Sequence, residues 1–243
     1  RAVRVFSYIV QVLMSVLMVG MCLLMLTRAV ACAKRVLEVL EAEPDISDSP
    51  ESHGRELPES RGRVEFKSVS FKYSATGTGD DVLHNIDLTV EPGQFVAIVG
   101  GTGTGKSTLV NLIPRFYDVT QGQVLVDGVD VRDYPLEELR SRIGMVLQTN
   151  VLFSGTVRDN LLWGRADAAE EEIRRAAKDA QALDFIEAMP QGFDTWLDQG
   201  GVNVSGGQKQ RLCIARAMLR HPAILILDDS TSAVDSATEA EIR

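Results

Sequence analysis

The stretch that decides the fold spans residues 95–108, Phe95-Val96-Ala97-Ile98-Val99-Gly100-Gly101-Thr102-Gly103-Thr104-Gly105-Lys106-Ser107-Thr108. Its first five residues form a continuous apolar run, which is typical of a parallel strand buried on both faces. Its last three residues begin a segment that we expect to be helical to about residue 113. The pattern therefore predicts a buried strand, a glycine-rich loop and a helix in direct succession.

The loop fits Gly-x-x-x-x-Gly-Lys-Ser, the P-loop pattern that binds nucleotide phosphates, in the strand–loop–helix context that it requires. Glycines let backbone N–H groups close around phosphates, and the helix N-terminus adds the positive end of its dipole. Lys106 is expected to reach the β- and γ-phosphates, and Ser107 to bind Mg²⁺. ATP and Mg²⁺ are thus the predicted ligands, with nucleotide contacts from Gly100, Thr102, Gly103, Thr104, Gly105, Lys106, Ser107 and Thr108.

Two later segments complete the pattern of a nucleotide site. Residues 224–227 are apolar and are followed by Asp228, as expected of a buried strand that ends in a Mg²⁺-binding carboxylate. Val204-Ser205-Gly206-Gly207-Gln208 precedes a helical pattern that runs to about residue 220, which predicts a second anion-binding helix N-terminus. One ATP does not need two such cradles from one chain, so the second is expected to serve a nucleotide held by another subunit.

The N-terminal region has the character of a membrane helix. Residues 5–27 contain no charged side chain and would span roughly 34 Å as a helix, enough for the hydrocarbon core. Arg28, Lys34 and Arg35 follow, which favours a cytoplasmic location for that end. A signal peptide is the competing interpretation, but the apolar run is too long and Arg28 interrupts the approach to a cleavage site.

Four methionines of this helix, Met14, Met18, Met21 and Met25, share one face. A path for hydrophobic cargo and an ordinary lipid-facing or helix-packing stripe both fit them. Proline and polar residues follow, so we expect a helix with a cytoplasmic extension over 1–43, a linker over 44–63 and a nucleotide-binding domain over 64–243.

Charge and cysteine content exclude other classes of protein. The formal net charge of −9 argues against a nucleic-acid binder that works through a basic surface. The three cysteines, Cys22, Cys32 and Cys213, are too few and too scattered for a disulfide framework or a zinc site.

On these motifs the whole chain resembles the ATP-binding cassette (ABC) family. Residues 204–208 are similar to its signature motif, with Val204 where Leu is usual. The resemblance implies that Tyr73 is the aromatic residue that stacks on adenine, and that Gln148 is the glutamine that senses Mg²⁺ and the membrane domain. It also implies a metal site from Ser107, Gln148 and Asp228, and a loop that crosses the dimer interface, Ser232, Ala233, Val234 and Asp235.

The N-terminal helix is similar to the last transmembrane helix of ABC exporters. The implied fold class is α/β, a P-loop NTPase nucleotide-binding domain of ABC type preceded by one long transmembrane α-helix. The implied function is ATP-driven efflux of a small hydrophobic substrate, from a cell membrane that the full protein crosses several times. The nucleotide-binding domain is expected in the cytoplasm, the contacts are expected to be with lipid and cargo and not with nucleic acid, and the identity of the cargo stays open.

Asp229 departs from the family pattern, because the residue after the Mg²⁺-binding aspartate is normally a catalytic Glu. A side chain one methylene shorter retreats by roughly 1.5 Å, which predicts an ATP site that binds well and hydrolyses poorly. This substitution resembles one half of the heterodimeric exporters, whose partner chain supplies the competent site. A self-sufficient homodimer, and a regulatory module that dimerises on ATP without turnover, are the alternatives.

A second departure concerns the switch histidine that the resemblance places beyond Asp235. The three histidines, His53, His84 and His221, all lie upstream of that loop, and the sequence ends at Arg243. We therefore expect the chain to be a piece of a longer membrane protein.

Overall fold

The computed structural model of the protein describes residues 2–48, 52, 56–73 and 81–228. It begins with helix α1 (Ala2–Leu40), which has exposed side chains throughout its apolar stretch. By length and composition, Val3–Leu40 is the one helix of the described residues that could cross a membrane. The helix ends three residues before the expected boundary at residue 43.

The chain divides into two compact units between Asp45 and Ile46. Described residues just after this division are bonded to the second unit rather than extended as a free linker. The backbone N–H of Leu136 donates to Asp48 Oδ1 (2.7 Å), and Arg142 Nη1 donates to the Pro58 carbonyl (2.9 Å). The linker expected over 44–63 is therefore fastened to the second unit at both of these points.

The second unit opens with an antiparallel sheet of four strands in the order β2-β1-β3-β4. The alternation of apolar and polar residues over 64–71 predicts a strand, and β1, which lies between β2 and β3, has these bounds. Its apolar residues are buried on the side of the core. The strands are β1 (Val64–Phe71), β2 (Leu83–Val90), β3 (Gln121–Val126) and β4 (Val129–Asp130).

Two parallel strands precede Gln148 and Asp228, two residues of the predicted nucleotide site. Strand β5 (Ile143–Val146) pairs with β8 (Ile224–Leu227) in register, with Val146 opposite Leu227. The carboxyl ends of parallel strands meet at one edge of a sheet, so Gln148 and Asp228 follow neighbouring strand ends. The backbone N–H of Asp228 donates to the Val146 carbonyl (3.0 Å) across this edge.

The buried strand predicted over residues 95–99 is not formed, and this prediction is wrong. Residues 94–100 join none of the three sheets, and the apolar side chains of the run are exposed, Val99 by 92%. An apolar run becomes a strand only where a neighbour supplies its ladder of hydrogen bonds. Among the described residues the parallel sheet ends at β8, which pairs with β5 alone.

The elements between β5 and β8 are mostly helical and enclose a second apolar core, which includes Leu152, Leu161, Ile173, Ile186 and Leu212. A short pair of strands closes its edge through Gly155 and Leu197. Glutamates alternate with Ile173, Ala176 and Ala177 in residues 156–190, which predicts helical structure, and three short helices form there. The helices are α2 (Lys106–Asn111), α3 (Leu136–Ser141), α4 (Val157–Leu162), α5 (Glu170–Asp179), α6 (Leu183–Glu187) and α7 (Gly206–Met218), and the short strands are β6 (Gly155–Thr156) and β7 (Trp196–Leu197).

Candidate nucleotide site

The glycine-rich loop turns into α2 through Gly105, which caps the helix in the left-handed conformation (φ 86°). A Cβ atom there would lie 2.9 Å from Leu83 Cδ2 and 3.2 Å from the Val82 carbonyl oxygen. Glycine is therefore required both for the backbone angle and for the close approach to β2. Gly105 has no side chain to cap α2, which leaves the first N–H groups of the helix available to an anion.

Lys106 folds back over this loop. Its Nζ atom donates to the carbonyl oxygens of Gly100 and Gly101, each at 2.9 Å, and Thr104 Oγ1 donates to the Gly101 carbonyl at 3.0 Å. Residues 100–104, including Thr102 and Gly103, are exposed. The lysine ammonium is thus held at the mouth of an open loop, where phosphate oxygens could replace its carbonyl partners.

Ser107 and Asp228 meet although they lie far apart in the sequence. Ser107 Oγ donates to Asp228 Oδ1 at 3.0 Å. A hydroxyl and a carboxylate oxygen so close together suit Mg²⁺, which prefers oxygen ligands and keeps several waters or phosphate oxygens in its shell. Among the described residues no cluster of three or more His, Cys, Asp or Glu side chains could hold a metal.

Tyr73 is joined to the phosphate loop by its hydroxyl, which lies 2.9 Å from Oγ1 of the buried Thr108 on α2. Its ring, 48% exposed, stands perpendicular to the rings of Phe71 (4.9 Å) and Tyr117 (5.1 Å). This packing fixes the ring beside the start of α2. Sequence reasoning missed Tyr117, because no spacing in the sequence signals that it lies next to Tyr73.

Gln148 lies two residues beyond the end of β5 and is exposed. It comes after the strand that neighbours the one ending at Asp228, so the topology brings both to the same edge of the parallel sheet. An exposed amide at this edge can reach a ligand that sits over the strand ends.

Ser205 caps α7, the second predicted anion cradle. Ser205 Oγ accepts from the Gln208 N–H (3.3 Å), and Gln208 Oε1 accepts from the Ser205 N–H (3.0 Å), which forms a capping box. Val204 is half-buried, whereas Ser205 and Gly206 are exposed and Gly207 is partly so. A Cβ atom at Gly206 would meet no atom within 4 Å, so the helix start faces open space that another molecule can enter.

Several predicted site residues lie outside the described part of the chain. These are the catalytic candidate Asp229 and the loop residues Ser232, Ala233, Val234 and Asp235. Their roles stay predictions from the sequence.

Comparison with known proteins identifies the relatives of this arrangement. The family model described as ABC transporter matches residues 83–232. The chain is 48% identical over 216 residues to an ATP-dependent lipid A-core flippase of Desulfotalea psychrophila, which covers 89% of this chain and 37% of the relative. It is 47% identical over 218 residues to a putative multidrug export ATP-binding/permease protein of Bacillus subtilis, covering 90% of this chain and 37% of the relative.

A solved structure, that of a bacterial Atm1-family ABC exporter with ATP bound, is similar to 89% of this chain with a TM-score of 0.81 and 36% identity. The match covers 37% of that exporter chain. The chain thus spans just over a third of the length of the relatives that it matches.

Proposed function

Because the chain belongs to the ABC transporter family, we propose that it is the ATP-binding part of an exporter that moves a hydrophobic substrate out of the cell. The observation that best supports an ATP site is the 3.0 Å hydrogen bond from Ser107 to Asp228. It joins the glycine-rich phosphate loop to the end of β8, as a shared site for phosphate and Mg²⁺ requires.

The proposed roles follow from position. Gly105 and the start of α2 bind phosphate through backbone N–H groups, and Lys106 neutralises the charge of the β- and γ-phosphates. Ser107, Gln148 and Asp228 hold Mg²⁺, which supplies charge neutralisation when it is bound. Tyr73 stacks on the adenine ring.

We assign α1 to a cell membrane and the nucleotide-binding domain to the cytoplasm. The uncharged stretch of residues 5–27 supports the span, and Arg28, Lys34 and Arg35 support a cytoplasmic exit. The full transporter would cross the membrane several times, since one helix cannot enclose a path for cargo. The apolar character of α1 supports a hydrophobic substrate.

An exposed aromatic pair on the helical part of the second unit supports a docking role for this region. Phe153 and Trp163 are 45% and 67% exposed, and their ring centroids lie 4.9 Å apart. Contiguous exposed apolar surface is typical of interaction sites, and these two rings lie side by side. We assign this surface to contact with membrane-spanning segments of the full protein other than α1.

The chain works as one half of a heterodimer whose own ATP site hydrolyses slowly. Asp229 follows the Mg²⁺-binding Asp228, and its carboxylate stands roughly 1.5 Å short of a glutamate's. A misplacement of about 1 Å can cost on the order of 100-fold in rate. The capped and exposed start of α7 would complete the competent site on a partner half-transporter.

The test is the steady-state ATPase rate of the complete protein in nanodiscs, without a partner, as wild type and as Asp229→Glu. We expect a nearly silent wild type and a gain of roughly 100-fold in kcat with Glu, the factor attributed above to the missing methylene. Asp133→Glu, which makes the same change at a distant acidic residue, is the matched control and should change nothing.

Other outcomes separate the alternatives. A brisk wild type with little gain from Glu would make a self-sufficient homodimer the better assignment. Cargo movement into sealed vesicles on ATP addition distinguishes both transporters from an ATP-dependent regulatory module. Failure of the wild type to bind ATP at all would overturn the nucleotide site itself.

A further inference from the structure

A three-residue segment follows Gln148 closely and is hydrogen-bonded to several elements of the helical part. The segment comprises Val151, Leu152 and Phe153 and is called the strap below. Leu152 is 1% exposed and belongs to the core of the helical part, which anchors the centre of the strap. A displacement of Leu152 therefore requires a rearrangement of the core that surrounds it.

The first bond to the strap comes from α7. Arg216 Nη2 donates to the Val151 carbonyl at 3.1 Å, and the guanidinium lies over the Phe153 ring at 6.0 Å from its centroid. A guanidinium bond to a carbonyl is charge-assisted and stronger than a neutral one. Arg216 lies on the helix that begins at Gly206, directly after Ser205.

Other bonds fasten the strap to the rest of the helical part. The Gly200 N–H donates to the Leu152 carbonyl (3.1 Å), from the turn that leads to Ser205. The side chain of Asn160, 1% exposed, accepts from the Phe153 N–H (2.8 Å) and donates to the Phe153 carbonyl (2.9 Å). The strap is therefore tied to α4, to this turn and to α7 at once.

We infer that Arg216 is a positioning residue that couples the two nucleotide sites of the transporter. Gln148 precedes the strap and faces this chain's own nucleotide, whereas Ser205, at the start of α7, faces the partner's. A displacement of the Gln148 segment on nucleotide binding is passed through Val151 and Arg216 to α7, and thus to the partner's site. The inference rests on the proposed function, because it needs both sites.

The chain contains a matched control on the same helix. Arg211 also bonds a backbone carbonyl from α7, with Nη1 donating to Gln181 at 3.0 Å, and its guanidinium also lies over a ring, that of Phe185 at 4.9 Å. Its carbonyl partner is not in the strap. Arg211→Gln therefore removes a similar bond and similar packing and leaves the proposed coupling intact.

The experiment uses the assembled full-length transporter in nanodiscs, with two readouts. Binding of a fluorescent non-hydrolysable ATP analogue gives affinity and Hill coefficient without turnover, and steady-state ATPase gives kcat. For wild type we expect a Hill coefficient above 1. Arg216→Gln should lower this coefficient below the wild-type value and lower kcat roughly tenfold, the effect of losing one charge-assisted bond. The half-saturating concentration should change less than about twofold.

Arg216→Lys keeps the charge but loses the fork of donors, so we expect an intermediate Hill coefficient. This variant decides the matter if Arg216→Gln does not assemble. Arg211→Gln should keep the wild-type coefficient. An unchanged coefficient in both Arg216 variants overturns the coupling while leaving ATP binding intact. Absence of binding in wild type refutes the proposed function, and the inference falls with it.

Discussion

The two glycine-rich helix starts of this protein, at α2 and at α7, satisfy their backbone groups in different ways. At α2 the cap is Gly105, which offers no side-chain acceptor. At α7 the cap is Ser205, and its capping box with Gln208 satisfies one N–H at the helix start and the N–H of the cap itself. One helix start is open, and the other is partly closed by its own side chains.

This difference indicates different tasks for the two starts. An uncapped helix start next to a lysine gains most when an anion arrives, because its donors have no internal acceptor. A capped start gains less, which suits a surface that closes on a nucleotide only transiently. We therefore expect α2 to dominate affinity and α7 to act mainly on turnover.

The sharpest test of this division is Lys106→Ala, for which we expect the largest effect. Loss of the ammonium removes charge-assisted bonds to phosphate, and ATP affinity should fall roughly 100-fold in an equilibrium binding titration. Lys178→Ala, which removes an exposed lysine from the last turn of α5, is the control for net charge. An affinity loss equal to that of the control would show that α2 is not the main phosphate site.

Ser205→Ala tests the other helix start. Turnover at the partner's phosphate loop should fall roughly tenfold, while ATP affinity at this chain's own loop stays constant. Loss of the cap also destabilises α7 by about 1 kcal/mol. Thr156→Ala is the control, because Thr156 forms the same capping box with Asp159 at the start of α4.

Ser205→Ala and Thr156→Ala should lose similar thermal stability, and only Ser205→Ala should lose turnover. If Thr156→Ala lowers turnover as much, the effect of Ser205 comes from helix stability and not from the partner's nucleotide. Unchanged turnover in the assembled Ser205→Ala complex would contradict the cross-subunit role directly.

Sequence reasoning predicted much of the local structure around the site. The bounds of β1, the strand that ends at Asp228 and the helix that begins after Ser205 follow from period, apolar runs and capping residues. These features are set by neighbouring residues, so a single sequence carries them.

Features that depend on distant partners were not predictable in this way. The sequence of residues 95–99 predicts a buried strand, but these residues join no sheet. Strand pairing depends on whether another strand lies next to the segment. Arg216 bonds to Val151, and Tyr117 packs on Tyr73. No helical or strand periodicity in the sequence relates the two residues of either pair. A sequence pattern shows which face of an element is apolar but not which residue meets it.

Tyr73 provides the smallest predicted effect and the finest test of the open helix start. Tyr73→Ala removes the ring proposed to stack on adenine, and ATP affinity should fall about fivefold to tenfold. This is the low end of the about 1–3 kcal/mol that base–aromatic stacking contributes, because the ring is half-exposed. Tyr73→Phe keeps the ring and loses only the hydroxyl contact with Thr108, so its affinity should change less than about threefold. A second titration, with GTP in place of ATP, sharpens the result. Stacking depends little on the base, so Tyr73→Ala should weaken the binding of both nucleotides by a similar factor. An equal loss with Phe and with Ala would mean that Tyr73 acts through its hydroxyl, by holding Thr108 at the start of α2, and that the base stacks elsewhere.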